Sequence, residues 1–522
     1  MYPSNAQILC FLFLSVCAAI SCVMASAVDV ALMQFYLWGD KTSTSLSFVA
    51  PVMAKAEEDL ASYKDVMNIT RVLIYDRNVT TCDGMDQKAA FWATRYYYHN
   101  LVGNPVLGIF GPGCRTAASS VASLAREWNT PMLTSTFEDY GLSNKKRYPT
   151  LTNFSPYIHQ NLNMFLYRLL DHFGYSTVGI LCDDANDNLG LYVPTCTGVF
   201  DTLRLQYNIS ASRFYVNATD ELNVKFYLEQ IKSIARVVII IAHGDRIRPI
   251  MLAALDKKMT EGDYVYFAFE PFPSKRFFGS ISWDTGDSDK RGAVRTISKT
   301  VSPELWIFRV QTLYLSCSLK SLDARTAFRS LFVLSLRKPD ATPEYRKVTD
   351  EIKRRSQSIT NYTYAAGEEV NPFAMAYYYA LGIYAKVVNH TIAAGGNPQD
   401  AYSMSKMMWN RTYTILGQDI IISANGDRET DWTLNQIDVE TGMFLPVMEY
   451  SARRKIVEPS RDPVDNSTRQ IVWYNRDSPP PNEPKCGYRG VKPQCDAIKP
   501  PNQYQQLAAA VLNLFEVVKG MF

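Results

Sequence analysis

Histidine is scarce in this chain, with 5 in 522 residues. Metal centres and general bases draw heavily on that side chain, so both readings have little to work with. No C-x-x-C, H-E-x-x-H, G-x-S-x-G or P-loop pattern occurs. Zinc, thioredoxin-type, hydrolase and nucleotide chemistry therefore lack their sequence signatures. An excess of one charge is also missing: Lys plus Arg is 54 and Asp plus Glu is 51. So even a balance leaves no electrostatic footprint for nucleic acid. Beyond residue 27 no apolar run reaches the ~20 residues of a spanning helix. The best, Leu507 to Phe515, is cut off by Glu516 and Lys519. What is present is ordinary globular composition, 47% apolar and 20% charged, at a length that suits about two to four domains.

The first 27 residues stand apart. An apolar run from Ile8 to Met24 precedes Ala25-Ser26-Ala27, a small-x-small pattern. This predicts a secretory leader cut after Ala27, although no Lys or Arg precedes the run. A buried helix or signal anchor is the alternative. Asn-x-Ser/Thr occurs at Asn68, Asn78, Asn153, Asn208, Asn217, Asn361, Asn389, Asn410 and Asn466. That abundance points to a glycosylated, extracellular or cell-surface chain. Seven cysteines follow the leader: Cys82, Cys114, Cys182, Cys196, Cys317, Cys486 and Cys495. In an oxidising compartment most should pair. Connectivity is not given by sequence, but short loops suggest Cys182 with Cys196 and Cys486 with Cys495. Cys82 and Cys114 then remain, with Cys317 spare.

From residue 28 to about 285, strand-like apolar runs alternate with helical patterns. Val178 to Leu181 and Val237 to Ile241 are continuous rather than alternating. Such strands need cover on both faces, which argues for parallel sheets flanked by helices. The predicted class is α/β and doubly wound. A break near 150–156 divides the series into two similar halves, each able to form a lobe with a cleft between. Residues 292–325 lose the rhythm and read as an insertion, either a loop or a retained non-coding stretch of the gene. Asn371 to Ala394 predicts a buried aromatic helix. Asn425-Gly426 between Ile420-Ile421-Ile422 and Trp432-Thr433-Leu434 predicts a hairpin of those two runs. Beyond 456 the chain is proline-rich and reads as an extended stalk.

Few residues offer chemistry. Gly108 to Gly113 has the spacing G-x-x-G-x-G, and Pro112 removes one amide donor. It is either a glycine-closed turn or a small-anion cradle ahead of a helix. Asp183 and Asp184 end a buried strand, where α/β ligands gather. They either bind a cationic group or cap the next segment. Asp76 and Ser135, at strand ends of the first half, complete the candidate cleft. The acidic run Asn425 to Asp431 lacks calcium-loop spacing. The histidines show no metal spacing, and no nucleophile, base and orienter assemble. No catalytic residue, metal or cofactor is expected.

Several stretches resemble the extracellular ligand-binding domain of the receptor guanylate cyclase and natriuretic peptide receptor family. They are Gly111-Pro112-Gly113-Cys114 before an Ala-rich helix, Trp128-Asn129-Thr130-Pro131, Met408-Trp409-Asn410-Arg411-Thr412 and Asn425 to Asp431. Pro479-Pro480-Pro481 to Pro484-Lys485-Cys486-Gly487-Tyr488, ending at Cys495, resembles the family's juxtamembrane segment. Coverage runs from about Val28 to Cys495, apart from 292–325.

The resemblance implies a type I periplasmic-binding-protein-like fold of two lobes joined by crossover strands. It divides the chain into a membrane-distal lobe (28–153 plus 360–408) and a second lobe (156–355 plus 409–455). A stalk (456–500) and an atypical tail (501–522) would follow. It supports Cys82–Cys114 and Cys486–Cys495 as pairs. A further family bridge has its first position at Cys196; Ala242 lies near the second, so Cys182 would serve instead. The resemblance also implies homodimers or heterodimers with related receptors, an extracellular peptide or small-molecule ligand, and cyclic GMP production by domains absent from this chain. A family chloride site would fall on Gly113 and Cys114, but Tyr75-Asp76-Arg77-Asn78 replaces its serine and brings a negative charge. Thr116 and Thr197-Gly198 stand where aromatic peptide contacts are expected, which argues against a natriuretic-type peptide. The chain then reads as a receptor ectodomain that stops short of its membrane helix or, alternatively, as a secreted binder or decoy.

Overall fold

The computed structural model describes residues 27–103, 105–136, 141–183, 191–284 and 323–488. The leader to residue 26, Asp184, Cys317, Cys495, the 292–325 segment up to residue 322 and the 501–522 tail lie outside the described residues.

β1 (Val28–Phe35) is buried over its last six residues. A strand hidden on both faces belongs inside a sheet with helices above and below. It pairs in parallel with β2 (Met67–Ile74) and β3 (Val106–Phe110). β4 (Met132–Thr134) and β5 (Leu151–Asn153) continue in parallel, giving the order β2-β1-β3-β4-β5. The second half repeats this arrangement. β6 (Thr177–Asp183), β7 (Ser210–Val216), β8 (Val237–Ile241), β9 (Val265–Phe269) and β10 (Leu331–Leu336) are parallel in the order β7-β6-β8-β9-β10. The result is the expected α/β architecture, two doubly wound lobes of the periplasmic-binding-protein-like type.

In the first lobe, α1 (Leu46–Asp59), α2 (Cys82–Arg95) and α3 (Arg115–Glu127) follow the strands. In the second, α4 (His159–His172), α5 (Tyr192–Leu205), α6 (Glu221–Lys232), α7 (Gly244–Asp256) and the short α8 (Lys275–Phe278) do so. After β10 come α9 (Pro343–Thr360), α10 (Pro372–Ala393) and α11 (Ala401–Met408). α10 is the expected aromatic helix. Asn371 caps it by accepting from the Ala374 amide at 2.8 Å, and Pro372 occupies its first turn, where a missing N–H costs nothing. Tyr377, Tyr379 and Tyr384 are buried along it. One apolar cluster runs from Val30 and Phe110 through α10 to Phe165 and Phe267, so the core passes from one sheet to the other.

Four expectations are corrected. The hairpin at Asn425-Gly426 joins β12 (Gln418–Ile422) to β13 (Arg428–Glu429), with β11 (Arg411–Ile415) on the other side. β14 (Trp432–Ile437) instead pairs antiparallel with β10 and β15 (Phe444–Ser451). Trp432 is fully buried against Phe165 and Phe269 in the second lobe, which draws the strand away from the hairpin. α9 packs on α1 rather than on the second lobe: Ser356 donates to the Ser47 carbonyl at 2.9 Å, and Arg355 pairs with Glu58. The expected stalk begins as a strand, β16 (Ile456–Pro459), on the edge of β15. Beyond it the described chain, to residue 488, stays docked. Gln436 exchanges hydrogen bonds with the Val472 backbone, and Asn482 accepts from the Ser176 and Thr177 amides. The fourth correction is Asn153. It is fully buried, and its side chain accepts from the Ser155 amide at 3.0 Å, so a glycan cannot reach it in the fold. Asn68, Asn78, Asn208, Asn217, Asn361, Asn410 and Asn466 are exposed, and Asn389 is partly exposed.

Candidate functional site

Parallel strands end in loops that lead into helices, and ligands of such sheets lie outside those ends. Here the ends of β9 and β10 in the second lobe face α1, α9 and the start of α10 in the first. Between them is a cavity of about 980 Å³, at the upper end of small-molecule sites.

Its floor is aromatic. Phe48, on the first turn of α1, meets Phe277 of α8 edge-on at 5.5 Å and Tyr362 at 4.9 Å. Phe272, just after β9, reaches Phe373 of α10 at 6.0 Å. The Phe48–Phe277 and Phe272–Phe373 contacts cross between lobes. Tyr345 and Tyr364 complete the lining, and burial pushes both phenols up. The buried Tyr364 hydroxyl has no hydrogen-bond partner among the described residues.

The rim is charged. Arg276 reaches from α8 to Asp40 in the loop after β1, donating to its carbonyl at 3.1 Å and pairing with its carboxylate. The same guanidinium lies 5.3 Å from the Tyr362 ring centre. Lys353 pairs with Glu369 at 3.5 Å, and Arg337 with Asp340 at 2.8 Å. Glu270 sits between β9 and Phe272. Burial pushes its carboxyl up to about 7, against the opposing pull of Lys338. Arg428 lies over the Tyr379 ring at 5.1 Å. Burial lowers its pKa, and its Nε and Nη1 lack partners among the described residues.

The residues singled out from sequence do not meet here. Asp76 follows β2, where its carboxylate accepts from the Asn78 amide at 2.8 Å and from Lys88 at 2.9 Å. These bonds, the backbone one first, hold its pKa below the usual range. Ser135 is fully buried beyond β4; its amide donates to the Tyr377 hydroxyl at 3.4 Å, and its own Oγ has no partner among the described residues. Asp183 is buried at the end of β6. None of the three lines the cavity. The lining residues Tyr362, Tyr364 and Lys338 were missed. A faint signal existed, since Arg337-Lys338-Pro339 and Tyr362-x-Tyr364 flank α9.

The cysteines hold the frame. Cys82 and Cys114 are bridged with Cα atoms 5.4 Å apart, tying α2 to α3. Cys182 and Cys196 are bridged at 5.9 Å, tying β6 to α5. Cys486 is disulfide-bonded. At the Gly113–Cys114 turn, a Cβ on Gly113 would overlap Thr44. The α3 N-terminus is served by Asp86, whose carboxylate accepts from the Ala117 amide at 2.8 Å. A carboxylate already complements that helix end. Among the described residues no helix is long and apolar enough to cross a membrane.

Comparison with known proteins places this geometry. The model of the receptor family ligand binding region (ANF receptor) matches residues 48–438. Atrial natriuretic peptide receptor 3 of Rattus norvegicus is 28% identical over 344 residues, covering 66% of this chain and 57% of that protein. Atrial natriuretic peptide receptor 2 of Homo sapiens is 27% identical over 392 residues, covering 74% of this chain and 34% of that protein. The chain thus spans little more than half the length of the first relative and a third of the second. What matches is a ligand-binding region and not a catalytic one. With both lobes, the interlobe cavity and the matched span in hand, the chain belongs to the receptor family of ligand-binding regions.

Proposed function

We propose that this chain is the extracellular sensing part of a receptor guanylate cyclase-like protein, and that it takes a peptide or small ligand in the cleft between its lobes. The supporting observation is the cavity of about 980 Å³ walled by both lobes. A ligand there touches α8 and α9 together and changes the free energy of lobe closure, which is the difference a receptor needs. In a longer chain that closure would be passed across the membrane and read as cyclic GMP. A secreted form would sequester the same ligand.

Pairing of two copies, or of one copy with a related receptor, belongs to the same reading. Phe91 and Tyr98 are 62% and 66% exposed on the first lobe, a patch suited to partner contact. Sedimentation of the secreted chain should show dimers that Phe91→Asp weakens.

The test is a fusion of the full chain to the membrane helix and cyclase of a relative. Fractions of extracellular fluid should raise cyclic GMP in cells carrying it. Ala366→Trp, an exposed lining position, should blunt the response without lowering surface expression. An equal response from the variant would refute the cleft as the ligand site.

A further inference from the structure

The charges lining the interlobe cavity do not cancel. Six cations line it, Lys275, Arg276, Arg337, Lys338, Arg346 and Lys353, against Asp350, Glu368 and Glu369. Three of the cations are engaged: Arg276 by Asp40, Arg337 by Asp340 and Glu449, and Lys353 by Glu369. Glu368 is engaged too, accepting from the Tyr362 hydroxyl at 2.7 Å and the Ala365 amide at 2.8 Å. Lys275, Lys338 and Arg346 form no ion pair among the described residues; Asp350 is the lining carboxylate left to face them, and Glu270, outside the lining, is the carboxyl on which Lys338 pulls against burial.

These three cations come from three segments: α8 of the second lobe, the β10–α9 crossover, and α9 against the first lobe. Open surface spreads such charges apart. Here they share the wall of one concave site, where low-dielectric walls focus the field. Arg428 adds positive charge close to Tyr345; its Nε and Nη1 have no hydrogen-bond partner among the described residues, and Asp431 is the carboxylate that acts on it. Between the cations the surface is aromatic: Phe272, Tyr345, Tyr362 and Tyr364. A cationic ligand would meet like charge on three sides, and a neutral one would leave those cations unanswered.

Granting that this cavity is the ligand site, we infer that it selects an anion with an aromatic or otherwise apolar body, its acidic group met by Lys275, Lys338 and Arg346 and its body laid on the tyrosines. Closing the lobes around such a ligand brings the cations of both lobes onto one acidic group. The ligand then supplies the counter-charge that holds α8 against α9.

The experiment is calorimetry on the full secreted chain with three probes of one shape and different charge: 1-naphthaleneacetate, 1-naphthaleneacetamide and 1-naphthylmethylamine. The acetate should bind at least about tenfold tighter than the acetamide, the worth of one charge-assisted hydrogen bond. The amine should bind weakest. Lys275→Gln/Lys338→Gln/Arg346→Gln alters exposed side chains and should erase the preference for acetate while leaving acetamide binding in place. Raising the salt concentration should weaken the acetate alone. Equal affinities across the probes, a preference that survives the triple substitution, or no binding by any probe would each overturn the inference. None of those outcomes touches the receptor reading, which falls only if no extracellular fraction raises cyclic GMP in cells carrying the fusion.

Discussion

The two lobes share one strand order and differ in how it is fastened. The first sheet is purely parallel, and its helices are joined to each other by Cys82–Cys114. The second sheet carries three more strands: β14 lies antiparallel on β10, and β15 and β16 follow, each antiparallel to the one before. Its disulfide, Cys182–Cys196, joins a strand to the next helix. The first lobe is thus stapled across its helices, while the second is extended at its sheet edge by chain that returns after the last crossover. A fold can repeat a topology and still place its stability in different interactions.

The comparison can be broken at its strongest point first. Trp432 anchors the returning strand in the second lobe and is fully buried. Trp432→Ala should cost about 3–5 kcal/mol and sharply lower the secreted yield; a melting temperature within a degree of the parent would show that β14 adds little. Where the first lobe meets the turn between β12 and β13, Lys145 and Asp427 form a buried pair at 2.7 Å, with side chains 7% and 5% exposed. Lys145→Met alone should cost about 3 kcal/mol by leaving a carboxylate unpaired, whereas Lys145→Met/Asp427→Leu should recover most of it. Urea unfolding of the two variants checks this, and equal losses would contradict it.

The staples come next. Removing Cys82–Cys114 frees a span of 32 residues and removing Cys182–Cys196 one of 14. Each loss is worth roughly 2–4 kcal/mol, and the longer loop should cost more by somewhat under ~1 kcal/mol. Cys82→Ser and Cys182→Ser, compared by thermal melting, should fall in that order.

Glu270 sharpens the contrast at the cleft. Burial raises its folded pKa from 4.5 to about 7. The folded state therefore holds a proton that the unfolded state releases. The stability this gives is complete below pH 4.5 and is lost as pH rises through about 7, a change on the order of 3 kcal/mol at most. Glu270→Gln does not titrate, so its advantage in melting temperature over the parent should grow from pH 5 to pH 8. A constant difference would show that Glu270 is not buried as charge. The smallest effect belongs to Asp40 and Arg276, about two-fifths exposed. Asp40→Asn should change stability by less than about 1 kcal/mol and show itself only in lobe spacing, measured by small-angle scattering.

Sequence disclosed the parallel strands because their apolar runs have no polar face. Val237 to Ile241 is buried at every position, and no arrangement but a covered strand permits that. It did not disclose the partner of Trp432-Thr433-Leu434, since alternation shows that a strand has a buried face but not which sheet supplies the cover. The nearby Asn425-Gly426 turn was read correctly as a turn, yet it closes on Arg428 and Glu429. Sequons carry no burial information, so Asn153 looked like its eight counterparts. The cleft was the least legible part. Asp76 and Asp183 stood out as charges at strand ends, but Asp76 is held by Lys88 and Asp183 is buried. Tyr345, Tyr362 and Lys338 looked like ordinary helix-flanking residues. Only the return of the chain from β10 to α9 places them opposite Phe272 and Lys275.

Recognition between the lobes is tested most directly by hydrogen exchange on the full chain, with and without the extracellular fraction that raises cyclic GMP in the fusion. Protection should appear together at 272–277, 345–353 and 362–372, the segments that wall the cavity from both sides. Protection confined to the exposed aromatic surface around Phe91 and Tyr98, with those three segments unchanged, would contradict the account.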